Sequence, residues 1–150
     1  MPKMWIATDR RSNREVIDRI KEIPLFSSCT QKELRAVAAV ARETHFRPGQ
    51  EICSQGKVGV GLHVVLSGDV KVIVDGRTRR RMGPGSFFGE ISLLDGGPRS
   101  ATVEASSDVE MLVIPAWGFK KMLQDNPHLM MKMLEEMGRR IRSNGAPLTD

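Results

Sequence analysis

One arginine and one carboxylate, set among glycines, carry the chemistry of this sequence. They lie in the stretch Phe87-Phe88-Gly89-Glu90-Ile91-Ser92-Leu93-Leu94-Asp95-Gly96-Gly97-Pro98-Arg99-Ser100-Ala101-Thr102-Val103. The glycines there let the backbone turn tightly, or approach a ligand where a Cβ would clash. Glu90 to Leu94 is long enough for one helical turn, whose free N–H groups would form an electropositive rim suited to an anion. Arg99 adds a planar fork for phosphate oxygens, and Ser100 a hydroxyl beside it. Glu90 repels phosphate and should therefore face a neutral donor such as a sugar hydroxyl. Together these groups describe a pocket for a sugar phosphate. A structural Glu90–Arg99 ion pair with no ligand is the competing reading. It is the weaker one, because a glycine-rich turn costs backbone entropy and a buried pair adds little stability.

At these residues the chain resembles a known family. Phe88-Gly89-Glu90-Ile91-Ser92-Leu93-Leu94, followed by Pro98-Arg99-Ser100-Ala101-Thr102-Val103, is similar to the phosphate-binding cassette of cyclic-nucleotide-binding domains. Bacterial catabolite activators, protein-kinase regulatory subunits and cyclic-nucleotide-gated channels share that cassette. The resemblance runs from Ile23 to Ile141. It implies that Glu90 accepts from the ribose 2′-hydroxyl, that Arg99 pairs with the cyclic phosphate, and that Ser100 gives its amide and hydroxyl. The Gly89 backbone would lie against the sugar, with Ile91, Ser92 and Ala101 completing the ligand-binding set. Serine after the arginine is what the bacterial activator carries, which favours cAMP over the alternative, cGMP. Two positions depart from the family: His63 stands where an aromatic residue is common, and Val60 where an acid is. Both are expected to lie away from the cassette and to concern surface or core detail, not ligand class.

The rest of the chain must position this site. It has 150 residues, 40% hydrophobic and 27% charged, enough for one globular domain with a substantial core. A formal charge of +5 permits an anionic partner, nucleic acid or membrane surface, or is simply a solvated basic surface. Cys29 and Cys53 form no metal-like spacing, and His45, His63 and His128 are scattered, which disfavours a metal-binding cupin. Met1 to Ile6 is too short an apolar run for a signal peptide, and the longest purely apolar run, Ala36 to Ala41, is too short to span a membrane. A cytoplasmic protein is expected.

Three segments follow from the patterning: N-terminal helices over 12–41, β structure over 43–114 and C-terminal helices over 115–142. Ser12 with Glu15, and Thr30 with Glu33, fit capping boxes. Leu34, Val37, Ala38 and Ala41 recur at helical spacing. From Glu43 to Ile114, β-rich runs (Leu62 to Leu66, Val70 to Val74, Val109 to Ile114) alternate with glycine turns, and Asp75-Gly76 signals a two-residue hairpin. Many short strands suggest an antiparallel sandwich or barrel, which the resemblance narrows to a jelly roll. The expected fold class is therefore α+β, an antiparallel β jelly-roll barrel flanked by N-terminal helices and two C-terminal ones. Pro115 is placed as a first helical residue, and Asn126 as the cap of a last helix that begins at Pro127 and stops at Gly145 and Pro147. Met130, Met133, Leu134, Met137 and Ile141 form that helix's apolar stripe, with Leu129 and Met131 off it. The stripe either packs on the barrel or, by the resemblance, belongs to a mobile lid or a dimer contact.

No catalytic set accompanies the pocket: Ser100 has no histidine near it in sequence, and neither a Walker lysine nor a nucleophile elbow is present. The expected protein is not an enzyme but a regulatory module that binds a cyclic nucleotide and repositions its C-terminal helix. Its further partners would be a second copy through that helix or an effector protein, without membrane. The alternative is the sensor part of a catabolite-activator-type transcription regulator. No helix-turn-helix pattern occurs in Ser143 to Asp150, so nucleic acid is not an expected partner of this chain. Arg77, Arg79, Arg80 and Arg81 read as a charged hairpin, with contact to an acidic partner as the other reading.

Overall fold

The structure, a computed structural model, describes residues 13–57, 61–89 and 97–144. Two helices open it: α1 (Asn13–Lys21) and α2 (Gln31–Val40), joined through a 3-10 turn at Pro24–Phe26. The second capping box forms as its residue types require. Thr30 Oγ1 accepts from the Glu33 N–H at 3.2 Å, and Glu33 Oε1 accepts from the Thr30 N–H at 2.8 Å. Ser12, the cap expected for α1, lies outside the described residues.

Eight strands follow: β1 (Arg42–Phe46), β2 (Glu51–Cys53), β3 (Gly61–Ser67), β4 (Val70–Val74), β5 (Arg77–Met82), β6 (Phe87–Phe88), β7 (Thr102–Ala105) and β8 (Val109–Pro115). They make two four-stranded sheets, in the orders β1-β8-β3-β6 and β2-β7-β4-β5, with every pairing antiparallel. Between β4 and β5, Asp75 (φ 53°) and Gly76 (φ 80°) form the two-residue turn, both central residues in the left-handed region that such hairpins need.

The two sheets differ in what covers them. Phe46, Val65, Phe88, Met111 and Val113 of the first meet Ile52, Val70, Val72 and Val103 of the second in a core between the sheets. The other face of the first sheet, with Leu62, Val64, Phe87, Leu112 and Ile114, packs on Phe26, Leu34, Phe119 and Leu129 of the helical layer. Its central strands β3 and β8 are thus buried on both faces, which is why they read as unbroken apolar runs. The second sheet places polar groups on its outer face, where Lys71 Nζ meets Glu104 Oε1 across strands at 3.3 Å. This is the α+β jelly-roll architecture to which the family resemblance had narrowed the strand and turn pattern.

Two C-terminal helices close the helical layer: α3 (Ala116–Asp125) and α4 (Pro127–Asn144). Three details here differ from the sequence reading. Pro115 is not the first helical residue but the last residue of β8, held extended (φ −61°, ψ 148°) by its pairing with Gly61. The Asn126 side chain turns back to α3, its Nδ2 donating to the Met122 carbonyl at 2.7 Å, while its backbone carbonyl accepts from the Met130 N–H and starts α4. Leu129, read as off the stripe, is fully buried beside Met133, whereas Leu134 and Ile141 are each 52% exposed. Apolar residues at 129, 130, 131, 133, 134 and 137 cover more than half the helix circumference, so spacing alone does not fix the roll angle. Packing of α4 on the Pro24–Phe26 turn and on α3 does.

Candidate functional site

Arg99 enters the barrel from a strap between β6 and β7. Its own backbone is tied to the turn after β2: Arg99 N–H donates to the Lys57 carbonyl at 2.8 Å, and Gly56 N–H to the Arg99 carbonyl at 2.8 Å. These two bonds fix the point from which the side chain projects. The guanidinium is 2% exposed, which places it among the largest fully buried side chains of the protein. Nη2 donates to the Gly61 carbonyl at 2.9 Å. Nε and Nη1 are buried and have no hydrogen-bond partner among the described residues. A cation withdrawn from water with two donor positions unused is costly by several kcal/mol, on the order of what an incoming anion would relieve.

Gly89 makes room for it. Its φ of +96° lies in a region that L side chains rarely adopt, and a Cβ here would collide with Nη1 of Arg99 and stand 2.8 Å from the Gly61 carbonyl oxygen. Gly61 is equally constrained, since its own Cβ would lie 2.5 Å from the Ile114 carbonyl oxygen on the neighbouring strand. Both glycines are therefore set by space as well as by backbone freedom.

His63 was missed as part of this site. It lies far from the cassette in sequence, yet β3 pairs it directly with Phe88, one residue before Gly89. Its ring stacks on Phe88 with centroids 4.8 Å apart and planes 2° from parallel, and the residue is 3% exposed. Burial first, then the Arg99 guanidinium, hold the imidazole far below its usual range, to about 3, against the opposing effect of a hydrogen bond with the Gly61 backbone. The ring is thus neutral beside a permanent cation. Non-local facts, the Arg99–Gly61 bond and the β3–β6 register, bring His63 to Arg99.

The remaining expected site residues are placed unequally. Ser100 is exposed next to the buried arginine. The Ala101 side chain is fully buried in the core between the sheets, which leaves its backbone as the part a ligand could reach. Glu90, Ile91 and Ser92 lie outside the described residues, as does Val60. Among the described residues, no three His, Cys, Asp or Glu side chains gather in a way that could hold a metal ion. No described helix is long and apolar enough to cross a membrane.

Comparison with known proteins now bears on this geometry. The family model for the cyclic nucleotide-binding domain matches residues 43–126, which span every strand but the first residue of β1 and all of α3. The chain belongs to the cyclic nucleotide-binding domain family. Among the relatives of this cyclic nucleotide-binding domain is a cAMP-dependent protein kinase regulatory subunit of Yarrowia lipolytica, 33% identical over 111 residues, covering 74% of this chain and 30% of that protein. Another is a CRP-like cAMP-activated global transcriptional regulator of Mycobacterium tuberculosis, 29% identical over 126 residues, covering 79% of this chain and 56% of that protein. In structure, the catabolite activator protein of Thermus thermophilus superposes with a TM-score of 0.73 at 31% identity, over 81% of this chain and 60% of that one. The chain thus spans 30% and 56% of the length of the two curated relatives, and the resemblance seen at the cassette extends over the whole barrel.

Proposed function

We propose that this cyclic nucleotide-binding domain takes cAMP at Arg99, with cGMP as the competing ligand, and acts as a regulatory sensor by binding rather than by catalysis. The observation that carries the reading is the buried guanidinium whose Nε and Nη1 have no described partner, lying against Gly89, a backbone position where a Cβ cannot fit. A cyclic phosphate supplies oxygens that these unused donor positions can engage. The ribose would then fall to Glu90 and the Gly89 backbone, with Ser100 at the phosphate. The relatives, which include cAMP-dependent and cAMP-activated proteins, support cAMP.

Ligand would act as a population shift, favouring whichever arrangement of strap and α4 it binds better. Calorimetric titration with cAMP and cGMP tests this, with Arg99→Leu as the control. Saturable binding of either nucleotide that the variant loses is expected; unchanged affinity in the variant overturns the site.

A second reading concerns what the sensor serves. The likeness to the Thermus thermophilus activator favours the sensor part of a transcription regulator, with a partner domain reading the position of α4. It is tested by reading the parent gene past Asp150 for a helix-turn-helix pattern. For the chain itself, the expected result is no tight binding to short duplex DNA at physiological salt.

A further inference from the structure

The backbone that launches Arg99 is held by a turn, and one side chain ties that turn to the rest of the sheet. After β2 the chain turns over residues 54–57, where the Lys57 N–H donates to the Ser54 carbonyl at 3.2 Å with Gln55 and Gly56 between them. The same turn makes both backbone bonds to Arg99, from the Gly56 N–H and to the Lys57 carbonyl. Its support from the ladder is thin, because β2 is three residues long, lies at the edge of its sheet and meets β7 in an irregular register. Gln55 adds what the ladder lacks. Its N–H donates to Thr102 Oγ1 on β7 at 2.9 Å. Its side-chain amide makes a reciprocal pair with Asp75 in the turn between β4 and β5: Nε2 donates to Asp75 Oδ1 at 2.9 Å, and Oε1 accepts from the Asp75 N–H at 3.0 Å. That turn is a firm anchor, since β4 pairs with β5 along its whole length and with β7 on its other side.

We infer that Gln55 is a positioning residue for Arg99: by locking the turn over 54–57 to the β4–β5 hairpin, its side chain fixes the backbone from which the guanidinium enters the barrel. Without that side chain the turn keeps one bond to Thr102 and two to the Arg99 backbone, so turn and strap can shift together. Asp75 is suited to its part. It is the one non-glycine residue with positive φ among the described residues, and its N–H and carboxylate are both engaged by the same amide. Gln55 and Asp75 are exposed, so each bond competes with water and the effect on the site is graded rather than all-or-none. The consequence for binding rests on the nucleotide reading of Arg99 given above; the anchoring of its backbone does not.

The test sets Gln55→Ala beside Gln50→Ala. Gln50 is a matched glutamine at the other end of β2, where its Oε1 accepts from the Arg47 N–H at 3.0 Å, so a general loosening of β2 is separated from loosening of the strap. Three quantities are read: backbone amide exchange in ligand-free protein at Arg99 and Gly56, with Val113 of β8 as internal reference; melting temperature; and cAMP and cGMP affinity by calorimetry. Gln55→Ala is expected to speed exchange at Arg99 and Gly56 roughly tenfold and to leave Val113 unchanged. It should bind nucleotide about three- to tenfold more weakly, the worth of about one hydrogen bond, and melt within about 3 °C of the parent. Gln50→Ala is expected to alter neither Arg99 exchange nor affinity. Asp75→Gly keeps the turn and its N–H but removes the carboxylate, and its Arg99 exchange should fall between the parent and Gln55→Ala. The inference is overturned if Gln55→Ala exchanges at Arg99 or binds as the parent does, if Gln50→Ala has the same effect, or if Val113 exchange and melting temperature move in step with Arg99. If the parent binds neither nucleotide, the proposed function fails, and the ligand-free exchange at Arg99 still decides whether Gln55 anchors it.

Discussion

Two sets of arginines in this molecule make opposite use of the same side chain. On β5, Arg77, Arg79 and Arg81 stand exposed at the edge of the second sheet, and Arg80 is half-buried with Nη2 3.6 Å from the Met82 sulfur. None of the four has a described salt bridge; the three exposed ones are in water and need none, whereas Arg80 also has a buried Nε without a partner. Arg99 is also without a described carboxylate partner, but it is sealed inside the barrel. A guanidinium in solvent keeps its hydration and is cheap to leave alone. The same group withdrawn from water retains an unmet demand, which under the proposed function an anionic ligand meets. Three exposed charges on one edge strand therefore say less about function than a single enclosed one.

This contrast can be broken most directly at Arg99. Arg99→Leu should abolish nucleotide binding, costing about 2–5 kcal/mol of affinity, while the unliganded fold melts no lower than the parent because an unpaired buried charge has gone. Calorimetry and thermal unfolding together check both halves; a large fall in melting temperature would mean that the arginine is structural. Next in size is Gly89→Ala. At φ +96° with Nη1 in the way, it should destabilise the protein by about 1–3 kcal/mol and weaken binding as the guanidinium is displaced.

His63 sharpens the contrast through pH. Its folded pKa of about 3 lies below the ordinary value of 6.5, so between those limits the unfolded chain takes up a proton that the folded one refuses. Its contribution to stability is complete above pH 6.5 and is lost as pH falls towards 3. Urea midpoints measured across that window should fall less steeply for His63→Phe than for the parent. Equal slopes would show that the ring is not held neutral. The smallest effect belongs to β5: Arg79→Gln with Arg81→Gln should change stability by less than about 0.5 kcal/mol. Any effect of that double variant on nucleotide affinity should vanish as added salt screens it, since the exposed charges act only at a distance.

What could be read from the sequence was what is decided locally. Thr30 and Glu33 cap α2 because their side chains reach each other's backbone three residues away, and Asp75-Gly76 turns because both residues tolerate positive φ. The family of the cassette was legible because its glycines, acid and arginine are contiguous. Leu129 was misjudged because the roll of a helix with apolar residues on most of its circumference is set by its neighbours. His63 was passed over for a related reason. Nothing within several residues of it hints at Arg99, and only non-local contacts, the bond of Arg99 to Gly61 and the pairing of β3 with β6, make them adjacent. Pro115 went wrong by a single position, since the strand pairing that holds it extended is also invisible along the chain.

The burial of Leu129 gives α4 the mechanics of a lever. Its base is pinned by Leu129 and Met133 in the helical layer and braced by Asn126 on α3, while Leu134 and Ile141 face outward. From Leu129 to Asn144 the helix extends about 22 Å, so a tilt of roughly 15° about that pivot would carry its far tip about 6 Å. Small adjustments near the barrel are thereby magnified with distance. Whatever is attached to the tip feels the largest stroke, and the pivot itself scarcely stirs.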